Sequence, residues 1–470
     1  MRKSFSLFSV LLLLALMGCR EQKPVKYIFF FIGDGFGLSQ SILAENYLDV
    51  KAKDTAEVHL EMLKMPVVGL STTYSANRLI TCSAAAGTAL ATGVKTNNGM
   101  LGVTPDTVEL VSIAKKLHGQ GFMVGIISSV SLDHATPAAF YANSHYRSNY
   151  VEISKQLAAT GFEFFGGGSL RGISKDSSVA DIITAAGYKM LNNRAAIDAH
   201  TLADGKLVAS SSKVLGSAEI PYVIDEPEHE MHLSYFVQKV IDLFEPAVEP
   251  FFVMVEGGKI DWSCHGNDAA TTLHEVLEMD KAYKLAHDFY LRHRDETLII
   301  ITADHETGGL GIGAGGYKIW PQVLDRQVVS EEAFSLKVDE LAKNGASRQE
   351  LYSAIEQSFG FNGDIKRLAL TKKDSARIDL IYKVRFSEKN KDKSDRLLSY
   401  DMHENETVSS LCVMMMSEKA GFGWTSGDHT GIAVPVRAEG VGADCFAGFY
   451  DNTDIPQRIL RLTGCTDSLN

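Results

Sequence analysis

The chain has 470 residues, of which 45% are hydrophobic and 22% charged; this supplies a large core and excludes disorder, a collagen-like repeat and a disulfide-dense scaffold. Its 46 Lys and Arg against 58 Asp and Glu give a formal charge of −12, so electrostatic capture of nucleic acid or an acidic membrane is not its default function. The length admits three serial domains of roughly 150 residues or one large α/β domain with insertions.

At the N-terminus, Arg2 and Lys3 precede an apolar run from Leu7 to Met17. The run is shorter than the roughly 20 residues of a transmembrane helix and matches the apolar region of a signal peptide. It ends Leu16-Met17-Gly18-Cys19, which resembles the bacterial lipobox, where cleavage before the cysteine accompanies lipidation of its thiol. Residues 1–18 are therefore expected to be a leader, and the protein is expected to be exported, either periplasmic or membrane-anchored through Cys19. Removing the leader takes away two cations and leaves a formal charge of −14.

Five further cysteines, Cys82, Cys264, Cys412, Cys445 and Cys465, form no CxxC pattern and cannot all pair. After export Cys445 and Cys465 could form a disulfide if their Cα atoms lie within reach.

Short apolar runs recur along the chain: Tyr27–Ile32, Phe122–Ile127, Phe251–Val255, Thr297–Ile301 and Ile432–Val436. Runs that are apolar on both alternating faces belong to strands covered on both sides, so they predict a mostly parallel central sheet between helices. The expected fold class is α/β, a three-layer sandwich. Leu273, Val276, Leu277, Tyr283, Ala286, Phe289 and Tyr290 recur at helical spacing and predict one amphipathic helix. From about Leu310 to Trp424 the strand rhythm stops. Phe334, Val338 and Leu341 suggest a helix, Ser347 with Glu350 suggests a capping box, and a charged run covers Glu388 to Arg396. The expected organisation is a leader (1–18), a core (19–309), an inserted lid or crown-like subdomain at one sheet edge (310–424), and a final core segment (425–470).

Ligands of open α/β sheets bind beyond the carboxyl ends of the strands. Asp34 follows the first of these runs, Glu256 follows Phe251–Val255, and Asp304 follows Thr297–Ile301 after Thr302 and Ala303. One such acid alone reads as a helix cap. Three at one edge raise each other's pKa unless cations neutralise them, and divalent metals do so economically. Histidines add ligand capacity: Asp261 and His265 stand one helical turn apart, His305 adjoins Asp304, and His429 sits in Gly427-Asp428-His429-Thr430-Gly431. Mixed His and carboxylate sets suit zinc, and all-oxygen sets suit magnesium. His118, His145, His274 and His287 read as ordinary core or surface residues. Ser83 precedes a run of small helix formers, where free backbone N–H groups and the dipole favour a phosphate. It is either a simple N-cap or, beside a metal, a nucleophile.

These motifs resemble the alkaline phosphatases. Gly33-Asp34-Gly35, Thr81–Val103, His134-Ala135-Thr136-Pro137-Ala138, Glu256-Gly257-Gly258-Lys259-Ile260-Asp261, Thr302-Ala303-Asp304-His305 and His429-Thr430-Gly431 occur in family order. The resemblance implies that Ser83 is the nucleophile and becomes phosphoserine, and that Arg147 holds the phosphate with its planar fork. It implies one zinc on Asp261, His265 and His429 and a second on Asp304 and His305. Asp34 would bridge the second zinc and a magnesium whose other ligands are Thr136 and Glu256. It further implies in-line, two-step hydrolysis of small phosphomonoesters, and it admits a homodimer. Nucleic acid is not an expected partner.

Three positions depart from some relatives. His134 replaces an Asp near the third metal, which weakens the magnesium preference. Trp262 replaces a cation. Cys82 replaces an Asp that partners the phosphate-holding arginine, so Arg147 is expected to be more mobile, with weaker phosphate retention. Within the superfamily, Thr81–Thr88 lacks the Pro and Arg of a sulfatase motif. A diesterase often uses Thr and lacks a complete third site, and a mutase would not be exported. A non-catalytic lipoprotein that captures phosphate or metal is the rival from outside enzymology.

Overall fold

The computed structural model describes residues 24–53, 55–386 and 407–465. The predicted leader, Cys19 and the charged run at 388–396 lie outside the described residues. The strands are β1 (Tyr27–Gly33), β2 (Val67–Thr72), β3 (Met123–Ser128), β4 (Phe164–Gly167), β5 (Tyr188–Leu191), β6 (Lys206–Ser210), β7 (Phe251–Gly257), β8 (Thr297–Ala303), β9 (Glu306–Thr307), β10 (Gly311–Ile312), β11 (Phe422–Gly423), β12 (His429–Thr430), β13 (Val434–Gly440) and β14 (Gly448–Asp451). Ten of them form one sheet in the order β14-β2-β13-β8-β1-β7-β3-β4-β6-β5. The seven strands from β8 to β5 run parallel.

The helices that build the two outer layers include α1 (Leu38–Ala52), α2 (Ser83–Thr92), α3 (Leu233–Phe244), α4 (Lys259–His265), α5 (Ala269–Arg292), α6 (Glu331–Lys343), α7 (Arg348–Phe359), α8 (Lys372–Phe386), α9 (Val408–Ala420) and α10 (Asp454–Leu462). The period of two in β1 assigns its side chains to opposite layers. Tyr27, Phe29 and Phe31 enter a core shared with α1, α3 and α5, whereas Ile28, Phe30 and Ile32 enter one shared with α2 and α10. Each fully buried Phe or Ile contributes roughly 1.5–3 kcal/mol. The three-layer α/β expectation therefore holds, because every central strand is apolar on both faces. The predicted stripe from Leu273 to Tyr290 lies on α5, with Leu273, Val276, Tyr283, Ala286 and Phe289 buried.

One predicted strand is displaced. The run Ile432–Val436 is placed by its sequence in a mostly parallel sheet; the observed β13 begins at Val434 and runs antiparallel to both β8 and β2. Ile432 is 59% exposed. The preceding residues His429 and Thr430 form an antiparallel pair with Thr307 and Glu306 outside the main sheet.

In residues 310–424, α7 begins with the expected capping box, Ser347 and Glu350 each bonding the other's backbone. Phe334, Leu351, Leu411 and Met415 are buried in the same cluster as Phe29 and Phe31, and α9 lies against α5. The five cysteines within the described residues are free thiols. The Cys445–Cys465 pairing considered above is therefore not formed: Cys445 is exposed and Cys465 is buried, its sulfur facing Gln120 Nε2. Among the described residues, no helix is long and apolar enough to cross a membrane.

Candidate metal centre and active site

Strand register sets the positions of the acids. Gly33 lies opposite Gly257 on one side and Ala303 on the other, so the residues that follow, Asp34 and Asp304, leave the sheet side by side, with Glu256 at the end of β7 beside Ser128 of β3. Gly35 turns the chain with φ +70°, and a Cβ there would stand 2.8 Å from the Asp261 backbone. Only glycine takes that turn without strain.

Three groups of ligand atoms converge, each within 4.8 Å: Asp261 with His265 and His429; Asp34 with Asp304 and His305; Asp34 with His134 and Glu256. The first two match the predicted zinc sets, and Asp34 joins the second to the third as expected. Thr136 Oγ1 stands 3.5 Å from Asp34 Oδ2, which brings the last predicted ligand to the third group. His134, expected only as a neighbour of that site, supplies one of its three converging atoms.

The donor chemistry fits cations. Asp34 Oδ1, Asp304 Oδ2, His134 Nδ1 and Glu256 Oε1 are buried and have no hydrogen-bond partner, and such atoms are costly unless something electropositive meets them. Burial first, then Asp304, Asp261 and Glu256, pushes the Asp34 pKa well above the carboxylate range, with Arg147 opposing. Burial, Asp261 and Glu256 do the same to Asp304. Asp261 differs: burial raises it, but the His265 hydrogen bond and the charges of His305, His265 and His429 prevail and hold it below the usual range.

The histidine rings are oriented by their outer nitrogens. His265 Nδ1 lies 2.6 Å from the Gly427 carbonyl and His429 Nδ1 lies 2.8 Å from the Thr81 carbonyl. His305 Nδ1 lies 3.3 Å from Thr307 Oγ1, whose hydroxyl donates to Asp261 Oδ1 at 2.5 Å. In each case Nδ1–H donates, so Nε2 is the nitrogen that a metal would take. Burial, then His429, lowers the His305 pKa well below its ordinary value, which favours the neutral ring. Thr307 was not singled out from the sequence, although it stands two residues beyond His305. Replacing Thr307 by Val is expected to weaken zinc binding about 10–100-fold while the protein stays folded; competition with a chromophoric chelator measures this.

Ser128 and Glu306 were also missed. Ser128 donates to Glu256 Oε2. Glu306 Oε1 accepts from Gln40 Nε2 at 2.8 Å and Oε2 accepts from Thr430, tying β9 to the segment that carries His429. Ser128 bonds a candidate ligand and Glu306 bonds the neighbour of one, Thr430 beside His429, so no motif of ligand types marks them.

Cys82, not Ser83, is the N-cap of α2, and it makes no side-chain cap bond. Ser83 is the first helical residue, its hydroxyl is free of capping, and Oγ stands 3.3 Å from His305 Nε2. That ring nitrogen is also 3.3 Å from Asp34 Oδ1 and 3.2 Å from Asp304 Oδ2. The ten residues of α2 are all buried, and a Cβ at Gly87 would press on the Thr136 backbone at 3.2 Å, so small residues let this helix reach the centre. Its unpaired N-terminal amides and dipole favour an anion there.

Arg147 Nη2 lies 3.0 Å from His134 Nε2, and its charge bears on Asp34, His305 and His429. Arg147, expected to lack an acidic partner at Cys82, bonds His134 instead, and Cys82 accepts from the Gly99 amide, whose carbonyl in turn receives the Arg147 backbone N–H. Trp262 meets His134 edge-on, with centroids 5.9 Å apart.

A family model described as alkaline phosphatase matches residues 25–163 and 167–465. The chain is similar to alkaline phosphatase 3 of Bacillus subtilis, 29% identical over 453 residues that span 94% of this chain and 89% of that one. It is also similar to an alkaline phosphatase of Schizosaccharomyces pombe, 27% identical over 459 residues covering 93% and 81%. Among solved structures, a cold-active alkaline phosphatase from a Shewanella species aligns with a TM-score of 0.75 at 26% identity, over 93% of this chain and 99% of that one. The Thermus thermophilus alkaline phosphatase shares the fold with a TM-score of 0.78 at 23% identity, over 97% and 95%. The chain belongs to the alkaline phosphatase family.

Proposed function

We propose that this member of the family hydrolyses phosphate monoesters through a phosphoserine at Ser83, with two zinc ions and a third divalent cation held by the three side-chain groups described above. The observation that carries the reading is Ser83 Oγ at 3.3 Å from His305 Nε2, at the N-terminus of a buried helix and beside two groups of metal-type ligands that share no residue.

Cations bound there would supply Lewis acidity, lowering the pKa of the attacking hydroxyl and balancing charge at the leaving oxygen. The chain's own groups perform the rest. Ser83 Oγ attacks phosphorus in line, forming the Oγ–P bond as the bond to the leaving alkoxide breaks; the serine proton passes to solvent and the alkoxide takes one from water. Water then attacks phosphoserine, Oγ–P breaks, and Ser83 recovers its proton as phosphate departs. Two inversions give retention at phosphorus. The amides of α2 and the forked guanidinium of Arg147 stabilise the equatorial oxygens, where charge develops.

Asp34, His134 and Glu256 with Thr136 nearby form a complete third group, which favours monoesters over diesters. Pure protein should therefore contain zinc and hydrolyse p-nitrophenyl phosphate at least about 100-fold faster than bis(p-nitrophenyl) phosphate, a gap of roughly 2.7 kcal/mol in barrier. A diester preference would replace this reading. Residues 1–18 and Cys19, read as an export leader and lipidation site, suggest that the reaction takes place outside the cytoplasm.

A further inference from the structure

His134 differs from the other three histidines of the centre. In His265, His305 and His429 the outer nitrogen meets an oxygen that accepts its N–H, so the inner nitrogen is the one offered to a cation. The outer nitrogen of His134, Nε2, meets Nη2 of Arg147 at 3.0 Å, and a guanidinium only donates. That bond requires the lone pair on Nε2. In a neutral ring it puts the proton on Nδ1, the nitrogen that faces Asp34 and Glu256 and stands 3.9 Å from Glu256 Oε1.

A cation taking Nδ1 requires the opposite tautomer. Nε2 then carries the proton and faces the Arg147 donor, and the hydrogen bond is lost. The ring cannot turn away to satisfy both demands, because His134 is only 5% exposed and Trp262 meets it edge-on. Arg147 and a cation at the third group thus compete for one imidazole from opposite sides.

We propose that His134 is a positioning residue that couples the third cation site to Arg147: a cation on Nδ1 releases the guanidinium to the phosphoryl oxygens. The inference rests on the phosphatase reading and adds a linkage to it. By reciprocity, phosphate that draws Arg147 off His134 also tightens the cation. A carboxylate in place of His134 has separate oxygens for the two partners, so it removes the competition.

The test is calorimetric titration with inorganic phosphate of protein carrying two equivalents of zinc, with and without a third equivalent. The quantity read is the ratio of the two phosphate dissociation constants. A cation's bare charge tightens phosphate in every variant. Release of Arg147 adds to it only where both His134 and Arg147 are present, so the wild-type ratio should exceed those of Arg147→Ala and His134→Asp by about five-fold or more. In protein labelled with 15N in histidine, the third equivalent should also move the proton of His134 from Nδ1 to Nε2. Equal ratios in wild type and Arg147→Ala, or an unchanged His134 tautomer, overturn the coupling while leaving the phosphatase reading intact. Zinc-loaded wild type that neither binds phosphate nor hydrolyses a monoester overturns both.

Discussion

Ser83→Ala should reduce turnover of p-nitrophenyl phosphate by about 10⁴-fold or more while zinc content and melting temperature stay near wild type. The reason is spatial. Ser83 Oγ sits 3.3 Å from His305 Nε2, and each of the three groups of ligand atoms is made by His and carboxylate side chains alone, so loss of Oγ removes the nucleophile and leaves those groups in place. The substitution deletes one atom at the first position of α2, whose cap is Cys82, and alanine suits that position. Residual hydrolysis by direct attack of water is expected, because Arg147 and the helix amides still hold the phosphoryl oxygens. Activity within ten-fold of wild type would remove Ser83 from the mechanism. Full loss of zinc would make it a ligand. The non-catalytic lipoprotein alternative predicts no turnover in either protein.

The second large effect is expected on metal removal. Dialysis against a chelator should abolish activity and lower the melting temperature, and zinc with magnesium or further zinc should restore both. A cation at 1,000 times its dissociation constant stabilises the fold by about 4 kcal/mol per site. The effect has a sign in pH. Asp34 and Asp304 have carboxyl pKa values raised by burial and by the charges of neighbouring carboxylates, Asp304, Asp261 and Glu256 on Asp34, and Asp261 and Glu256 on Asp304. A carboxyl whose folded value lies above its unfolded value contributes stability that is fully present below the unfolded pKa and is lost as pH rises through the folded one. His265 behaves likewise: burial lowers its pKa, but the Asp261 hydrogen bond and charge raise it further, to about 9. The chelated protein should therefore lose melting temperature steadily from pH 7 to 9, a window in which His305 and His429, both with lowered values, are neutral folded or unfolded. Metal-loaded protein should lose less, so the gap between the two widens with pH, and metal addition should release protons into weakly buffered solution. A gap that narrows over this window would contradict the assignment of Asp34 and Asp304 as ligands.

The fate of phosphate connects these results to His134. The sequence reading expected weak retention because Cys82 leaves Arg147 without an acidic partner. The structure supplies His134 as a hydrogen-bond partner of the Arg147 guanidinium, and in the proposed coupling that bond competes with phosphate. Phosphate affinity then depends on which cation occupies the third group, and on how well that cation accepts an imidazole nitrogen. Zinc accepts one readily and magnesium prefers oxygen.

Local chemistry was legible in the chain because it is periodic or contiguous. Seven strand residues apolar on both faces determine that β1 lies inside a sheet, and an acid placed just beyond such a strand determines that it reaches the carboxyl edge. Asp34, Glu256 and Asp304 could be named on that basis, Ser83 from the run of small helix formers that follows it, and the capping box of α7 on the basis of three-residue spacing. Tertiary structure alone decided the rest. Thr307 reaches Asp261 across 46 positions, His429 reaches the Thr81 carbonyl across 348, and β13 pairs antiparallel with a strand more than 120 positions earlier. A hydrogen bond depends on direction and on a separation near 3 Å, and neither is written in the spacing of residue types. The sequence determined which side chains gather at the sheet edge; the fold decided which nitrogen of each imidazole is left for a cation, because that depends on what stands behind the ring.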